Sequence, residues 1–208
     1  MDFELTEEQK LIRETVRDFA EREIKPVAKE LDEKAIFSYD LTKKMGEIGL
    51  FGMNTPEKYG GQGLDTLSYI ISVEELARVD GSQAATLAAH NSLGIGPLIN
   101  YGTEEQKLKH IPQLCTGEAL WSFGLTEAGA GSDSRGSKTI AVLDGDEWVI
   151  NGEKFYISGA GDPRCKIMIC MVVTSPDAEK HMRQSQILVP MDAPGVNIVG
   201  PMKVFGSD

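Results

Sequence analysis

Ile140-Ala141-Val142-Leu143-Asp144-Gly145-Asp146-Glu147-Trp148-Val149-Ile150-Asn151-Gly152-Glu153-Lys154-Phe155-Tyr156-Ile157 is the stretch where the period of the chain changes. Short β-rich runs at 140–143, 147–150 and 154–157 are separated by Asp144-Gly145 and Asn151-Gly152. Both dipeptides tolerate positive φ and favour hairpin turns, so the stretch predicts consecutive strands. Downstream, 166–174, 186–190 and 196–199 read as further strands, and 175–185 is polar and turn-like.

Upstream the period is helical. Thr6-Glu7-Glu8-Gln9 has the form of a capping box, in which a Thr hydroxyl and a Gln amide satisfy free N–H groups at a helix start. Behind it Ile12, Val16, Phe19, Ile24, Val27 and Leu31 recur at steps of mostly three and four, drawing one apolar stripe. Pro26 within that stripe should kink or break the helix. A shorter helix follows with Leu41, Met45 and Ile48 on one face, and the glycine-rich 56–63 segment is a loop. Helix returns with Asp65 or Thr66 as N-cap and Tyr69, Ile70, Val73, Leu76 and Ala77 facing inward. Asp80-Gly81-Ser82 breaks it, an Ala-rich helix starts at Gln83, and a second capping box at Thr103–Gln106 opens a helix expected to end near Pro112. No convincing strand precedes Cys115. Helices first and strands afterwards predict α and β elements in separate domains, α+β: an all-α domain over 1–116 and an all-β domain over 117–208, with the seam near Cys115–Gly117.

The 208-residue composition bounds the function. Hydrophobic residues make up 41% and charged residues 25%, an ordinary globular balance. A net charge of −11 argues against nucleic acid, whose binding rests on Lys and Arg neutralising phosphates. Met1–Leu5 has neither signal-peptide nor transit-peptide character, and no apolar run is long enough to span a membrane. Cys115, Cys165 and Cys170 form no C-x-x-C pair and leave an odd thiol, which reads as buried thiols in a reducing cytoplasm. His90, His110 and His181 are scattered without ligand spacing, so no metal site is expected.

The densest cluster of small residues is Leu125-Thr126-Glu127-Ala128-Gly129-Ala130-Gly131-Ser132-Asp133. Glycines let backbone approach a ligand, and successive N–H groups can form a nest for an anion such as a pyrophosphate. Thr126 and Ser132 add hydroxyls. By composition alone such a stretch is more often an ordinary loop. It lacks the G-K-[ST] ending of a Walker loop, the strand and helix setting of a dinucleotide fingerprint, and the G-x-S-x-G of a hydrolase elbow.

Phe123–Asp133 resembles the first signature of the acyl-CoA dehydrogenase family, which usually ends L-T-E-P-x-A-G-S-D. Asn151-Gly152-Glu153-Lys154-Phe155-Tyr156-Ile157-Ser158 is similar to the family's second stretch, N-G-x-K-x-W-I-T. The N-terminal helix, Tyr59-Gly60-Gly61, Glu74–Arg78 and Gly102–Lys107 fall where the family pattern expects them. The resemblance implies a helical N-terminal domain and a barrel-like β middle domain, followed in the family by a C-terminal helical bundle. It implies FAD as cofactor, contacted by Phe123, Leu125, Thr126, Gly131, Ser132, Tyr156, Ile157 and Ser158. Ser132 would also touch the acyl-CoA substrate, and Ser158 would hydrogen-bond near flavin N5. Ala128 stands for the usual proline, Tyr156 for tryptophan and Ser158 for threonine. An aromatic wall and a hydroxyl are thereby kept. The second half looks more like the kinase-fused branch, and the N-terminal half more like butyryl-CoA-type enzymes.

The implied reaction is α,β-dehydrogenation of an acyl-CoA thioester with hydride transfer to flavin. An electron-transfer flavoprotein would be the electron acceptor, and the full-length form a homo-oligomer. In the family the base comes from the C-terminal domain, beyond Asp208, so no catalytic residue is assigned in this chain, which alone would be inactive. Glu127 is the obvious carboxylate beside the first motif, but a polar loop acid is more often a turn or salt-bridge partner. Leu93–Ile99 would line an acyl tunnel or pack as plain helix, while Tyr59 and Trp148 read as core or turn anchors. Met202–Asp208 reads as a strand leading into a loop, in keeping with a chain cut short. The rival readings are a non-catalytic binding module of the same fold, and a flavin oxidase or monooxygenase on the same scaffold.

Overall fold

Thr6 caps the first helix, α1 (Glu7–Phe19), by the reciprocal bonds the sequence predicts. Its hydroxyl accepts from Gln9 N at 3.2 Å, and Gln9 Oε1 accepts from Thr6 N at 3.1 Å. The computed structural model describes residues 4–202, so most of the expected 202–208 strand lies outside the described residues. The chain divides into two compact units, one reaching to Ala119 and one running Leu120–Met202.

In the first unit Val16, Phe19 and Ile24 enter the core, with Ile12, Val27 and Leu31 packed at its margin. Ahead of Pro26 the helix widens into a π turn, Ala20–Ile24, and resumes as α2 (Lys25–Glu33). Proline brings no N–H and its ring crowds the preceding carbonyls. The extra residue in the wide turn accommodates both defects, so of the two expectations, a kink or a break, the helix does not break but continues through a π turn.

Helix α3 (Tyr39–Glu47) buries Leu41 and Met45, but Ile48 falls past its end and is 44% exposed. Helix α4 (Thr66–Ala77) starts on Asp65, whose Oδ1 accepts from Ser68 N at 2.6 Å. Its inward face differs from the expected one. Ser68, Tyr69, Ile71, Ser72, Glu75 and Leu76 are buried, whereas Ile70 is half exposed and Ala77 is exposed. The reason is an ion pair. Arg17 of α1 grips Glu75 through Nε–Oε2 and Nη2–Oε1 bonds of 2.9 and 2.7 Å, and Arg78 adds a third at 3.1 Å. A buried carboxylate so paired is tolerated where an unpaired one would not be.

Asp80 ends α4 by capping the next helix, α5 (Gly81–Ala89), so its glycine and serine lie inside that helix. A second π turn, His90–Ile95, leads into α6 (Gly96–Tyr101). Leu93–Ile99 is thus helical, with Ile95 and Leu98 buried. His90 is a core residue, its ring edge-on to Phe51 and its Nε2 2.8 Å from Leu114 O. Helix α7 (Glu104–Cys115) opens with the second capping box and runs through Pro112. The expected stop there is overridden because Ile111 and Leu114, fully buried, hold the last turn in place. Tyr59 is a core anchor, 3% exposed, its hydroxyl donating to Glu104 at 2.8 Å.

The second unit is built on one mixed sheet: β1 (Leu120–Gly124), β2 (Ile140–Asp144), β3 (Glu147–Asn151), β4 (Cys165–Val173) and β5 (Gln184–Pro190). β4 is the centre. It pairs parallel with β1, antiparallel with β5, and at its end with β2 through Ile140–Val173. Asp144-Gly145 makes the expected hairpin, with Asp144 opposite Glu147 and Gly145 at φ 60. Ala141, Cys170 and Val172 form a core cluster against Ile150, Met168, Ile187 and Val189.

Several expectations fail here. β1, a strand at Leu120–Gly124, lies outside every run the sequence marks as β. The runs at 154–157 and 196–199 are not strands. Tyr156 sits at φ 57, which no strand residue adopts, and Gly195 and Gly200 at positive φ flank the second run. With those runs irregular, β3 and β5 are left as edges, and the described strands form an open sheet rather than a closed barrel. Asn151-Gly152 is not a hairpin turn either; Gly152 is needed for a close approach instead, because a Cβ there would overlap Thr139.

Candidate functional site

β1 delivers the small-residue stretch to the end of the sheet. Phe123 is its half-buried fourth residue, paired with Ile169 of β4. Gly124 follows because Met168 Sδ would lie 2.7 Å and Lys154 Cγ 3.4 Å from any Cβ placed there. Past the strand, Glu127 and Ala130 exchange N–H···O bonds of 3.2 and 3.0 Å, closing a tight turn over Ala128 and Gly129.

This turn presents an open face. A Cβ added at Gly129 or Gly131 would meet nothing within 4 Å. The N–H groups of Gly131 and Ser132, and the hydroxyls of Thr126, Ser132 and Ser158, make no hydrogen bond to another described residue. Uncommitted N–H groups beside hydroxyls on an accessible glycine turn suit an anionic, hydrogen-bonding ligand such as the phosphate part of a dinucleotide.

The second stretch reaches the first by backbone and side chain. Phe155 N donates to Thr126 O at 2.8 Å, and Lys154 Nζ donates to Leu125 O at 3.1 Å. Leu125 and Thr126 are therefore neighbours of the segment that carries Tyr156. Tyr156 is the exposed end of an edge-on pair with Phe155, centroids 4.4 Å apart, and its left-handed backbone is costly for a bulky residue. Ile157 accepts from Ala160 N in the turn that follows, and Ser158 is exposed. No bond ties Gly131, Ser132 or Ser158 to the other proposed contact residues among the described residues.

Glu127 is a salt-bridge partner, as the sequence favours, and not a free acid: it pairs with Lys154. Its carboxylate is 9% exposed and accepts four bonds: from Lys138 N at 2.7 Å, Thr139 N at 3.0 Å, Thr139 Oγ1 at 2.6 Å and Lys154 Nζ at 2.9 Å. Burial alone would raise its pKa; the bonds from Lys154, Thr139 and Lys138 outweigh that and bring it down to about 2. Such a group is a poor proton acceptor. The one sequence signal for this role was the pairing of a Glu in one motif with a Lys in the other.

Elsewhere the chemistry is quiet. Burial pushes the Cys115 thiol up to about 11 and raises Cys165 and Cys170 as well. Among the described residues no group of His, Cys, Asp and Glu could hold a metal ion, and no helix is long and apolar enough to cross a membrane. Trp148, 46% exposed beside the β2–β3 turn, is not a core residue.

Comparison with known proteins bears on both units. Profiles of the acyl-CoA dehydrogenase N-terminal and middle domains match residues 6–118 and 122–208. A Bacillus subtilis protein named "Probable acyl-CoA dehydrogenase" is 47% identical over 206 residues, 99% of this chain and 54% of its own length. A short-chain specific acyl-CoA dehydrogenase of Clostridium acetobutylicum is 50% identical over 161 residues, 77% of this chain and 42% of its own. Among solved structures, an acyl-CoA dehydrogenase of Bacillus anthracis complexed with FAD is 35% identical with a TM-score of 0.85, covering 96% of this chain and 34% of that one. The chain spans about half the length, or less, of these relatives.

Proposed function

The chain belongs to the acyl-CoA dehydrogenase family, and on that premise we propose that it forms the flavin-facing wall of an FAD-dependent α,β-dehydrogenation of acyl-CoA thioesters. The observation that carries this reading is the open glycine turn at 129–131, with unengaged N–H groups and hydroxyls, tied to the strained Tyr156 segment through Phe155 N and Thr126 O.

FAD, when bound, supplies the hydride acceptor. Everything else is the work of side chains and backbone. Gly131 and Ser132 would donate N–H groups to its phosphates, and Thr126 and Ser158 would offer hydroxyls. Phe123, Leu125, Tyr156 and Ile157 would supply apolar and aromatic surface along the ring system. Ser132 would also reach the acyl-CoA. Closing such a wall over the ligand excludes water and strengthens every polar contact inside it. The α-proton acceptor is proposed to lie outside these residues, since Glu127 is committed to Lys154 and held near a pKa of about 2. An electron-transfer flavoprotein is the proposed electron acceptor.

The test is direct. The purified chain is loaded with FAD, desalted, and its flavin absorbance read, with acyl-CoA binding followed by the change in that band. A retained yellow cofactor that responds to an acyl-CoA is expected. A chain that stays colourless with added FAD sinks the reading.

A further inference from the structure

We propose that Glu127 is a positioning residue for bound FAD: through Lys154 and the Lys138–Thr139 backbone it sets the first flavin-facing stretch against the second. This inference rests on the flavin-binding reading above and gives a task to a buried ion pair that reading leaves unused.

The geometry converges on one carboxylate. Its four donors come from two separate segments, Lys138–Thr139 ahead of β2 and Lys154 beyond β3, while Glu127 itself belongs to the turn after β1. Lys154 returns a second bond to Leu125 O. Thr126 therefore lies between two residues fixed by Lys154, and its own carbonyl is held by Phe155 N. On the other side, Tyr156 follows two anchored residues, Lys154 and Phe155. The left-handed backbone at Tyr156 persists only where its surroundings over-determine it, and this cluster supplies that constraint.

All four partners are donors. A carboxylate offers lone pairs to each and needs no donor in return, whereas a carboxamide would turn an NH2 group against one of them. Both side chains are nearly buried, 9% exposed for Glu127 and 6% for Lys154. Removing either charge leaves the other uncompensated in a low-dielectric setting. The sign of the stranded charge then acts on the flavin. A lone ammonium favours the added electrons of reduced flavin, and a lone carboxylate opposes them.

The experiment uses the 208-residue chain loaded with FAD, as wild type, Glu127→Gln, Lys154→Met and the double variant. FAD dissociation constants and flavin midpoint potentials are measured for each. Either single change should weaken FAD on the order of tenfold, as loss of a charge-assisted hydrogen bond implies. Glu127→Gln should raise the potential, Lys154→Met should lower it, and the double variant should return toward wild type. A pair that serves stability alone would move both single variants the same way. Unchanged affinity in Glu127→Gln, or potentials shifting together, overturns the proposal while leaving flavin binding intact. A wild-type chain that binds no FAD overturns the functional reading and this inference with it. Where Glu127→Gln does not fold, Thr139→Val deletes one hydroxyl donor and keeps both charges; a several-fold loss of affinity is expected, and an unchanged constant rejects the role.

Discussion

Gly152 passes so close to Thr139 that a Cβ on it would overlap the Thr139 side chain and come within 2.7 Å of its Cα. Thr139 is the residue whose N–H and hydroxyl both reach Glu127, so the glycine is a spacing requirement of the Glu127 cluster. Gly152→Ala should destabilise the chain by about 1–3 kcal/mol, the usual cost of overpacking against backbone. Urea unfolding measures this. A variant as stable as wild type would mean that 152–155 is free to move away from Thr139.

Tyr156 carries the second testable relationship, between side-chain shape and a left-handed backbone. A β-branched residue fits that conformation worst and glycine best. Tyr156→Val should therefore be less stable than Tyr156→Gly by about 1–2 kcal/mol, the reverse of their order in an extended segment. Both should bind FAD more weakly than wild type, because both remove the aromatic surface. Thermal melts and flavin titration separate the two effects.

Glu75 is the buried member of the α1–α4 ion pair. Bonds from Arg17 hold its carboxyl below the ordinary carboxylate value against the opposing effect of burial, with Arg78 assisting. Glu75→Gln should cost about 2 kcal/mol, since charge-assisted bonds are lost and donors are left facing a weaker acceptor. The urea midpoint of the first unit should fall accordingly, and a variant within experimental error of wild type would demote the pair to a surface contact.

Acid should weaken the second unit through Glu127. Its folded pKa of about 2 lies below the ordinary 4.5, so the stabilisation it brings is complete above 4.5 and is lost as pH falls from there toward about 2. Wild-type stability should therefore decline across that window more steeply than that of Glu127→Gln, which has no carboxylate to protonate. Glu75, also depressed, leaves a residual slope in both proteins. Chemical denaturation at a series of pH values reads the difference, and parallel curves would contradict the assignment.

Local chemistry was legible where a residue and its partner are near in sequence. Thr6 with Gln9 and Thr103 with Gln106 form the capping boxes their spacing announces, and Asp144-Gly145 turns the β2–β3 hairpin. The order of helices and strands follows from the same short-range patterns. β1 escaped because it is buried on nearly its whole length and pairs in parallel with a strand some forty residues away, so no alternation marks it. Ile48 and Ile70 fit an apolar stripe by count, yet lie at the surface. The run at 154–157 has the composition of a strand and the path of a loop.

The α-then-β order, the helix starts and, through the ordered motifs, the family are all written in short-range pattern. Those depend on propensity and on neighbours within a turn or a hairpin. Long-range packing settles which face of α4 turns inward, that the sheet of described strands is open, and which donors bind the Glu127 carboxylate. Each of these depends on a partner distant in sequence: Arg17 for Glu75, β4 for β1, and Lys154 with Thr139 for Glu127. A carboxylate's role is fixed by the donors brought to it, and which donors arrive is settled only when the chain has folded.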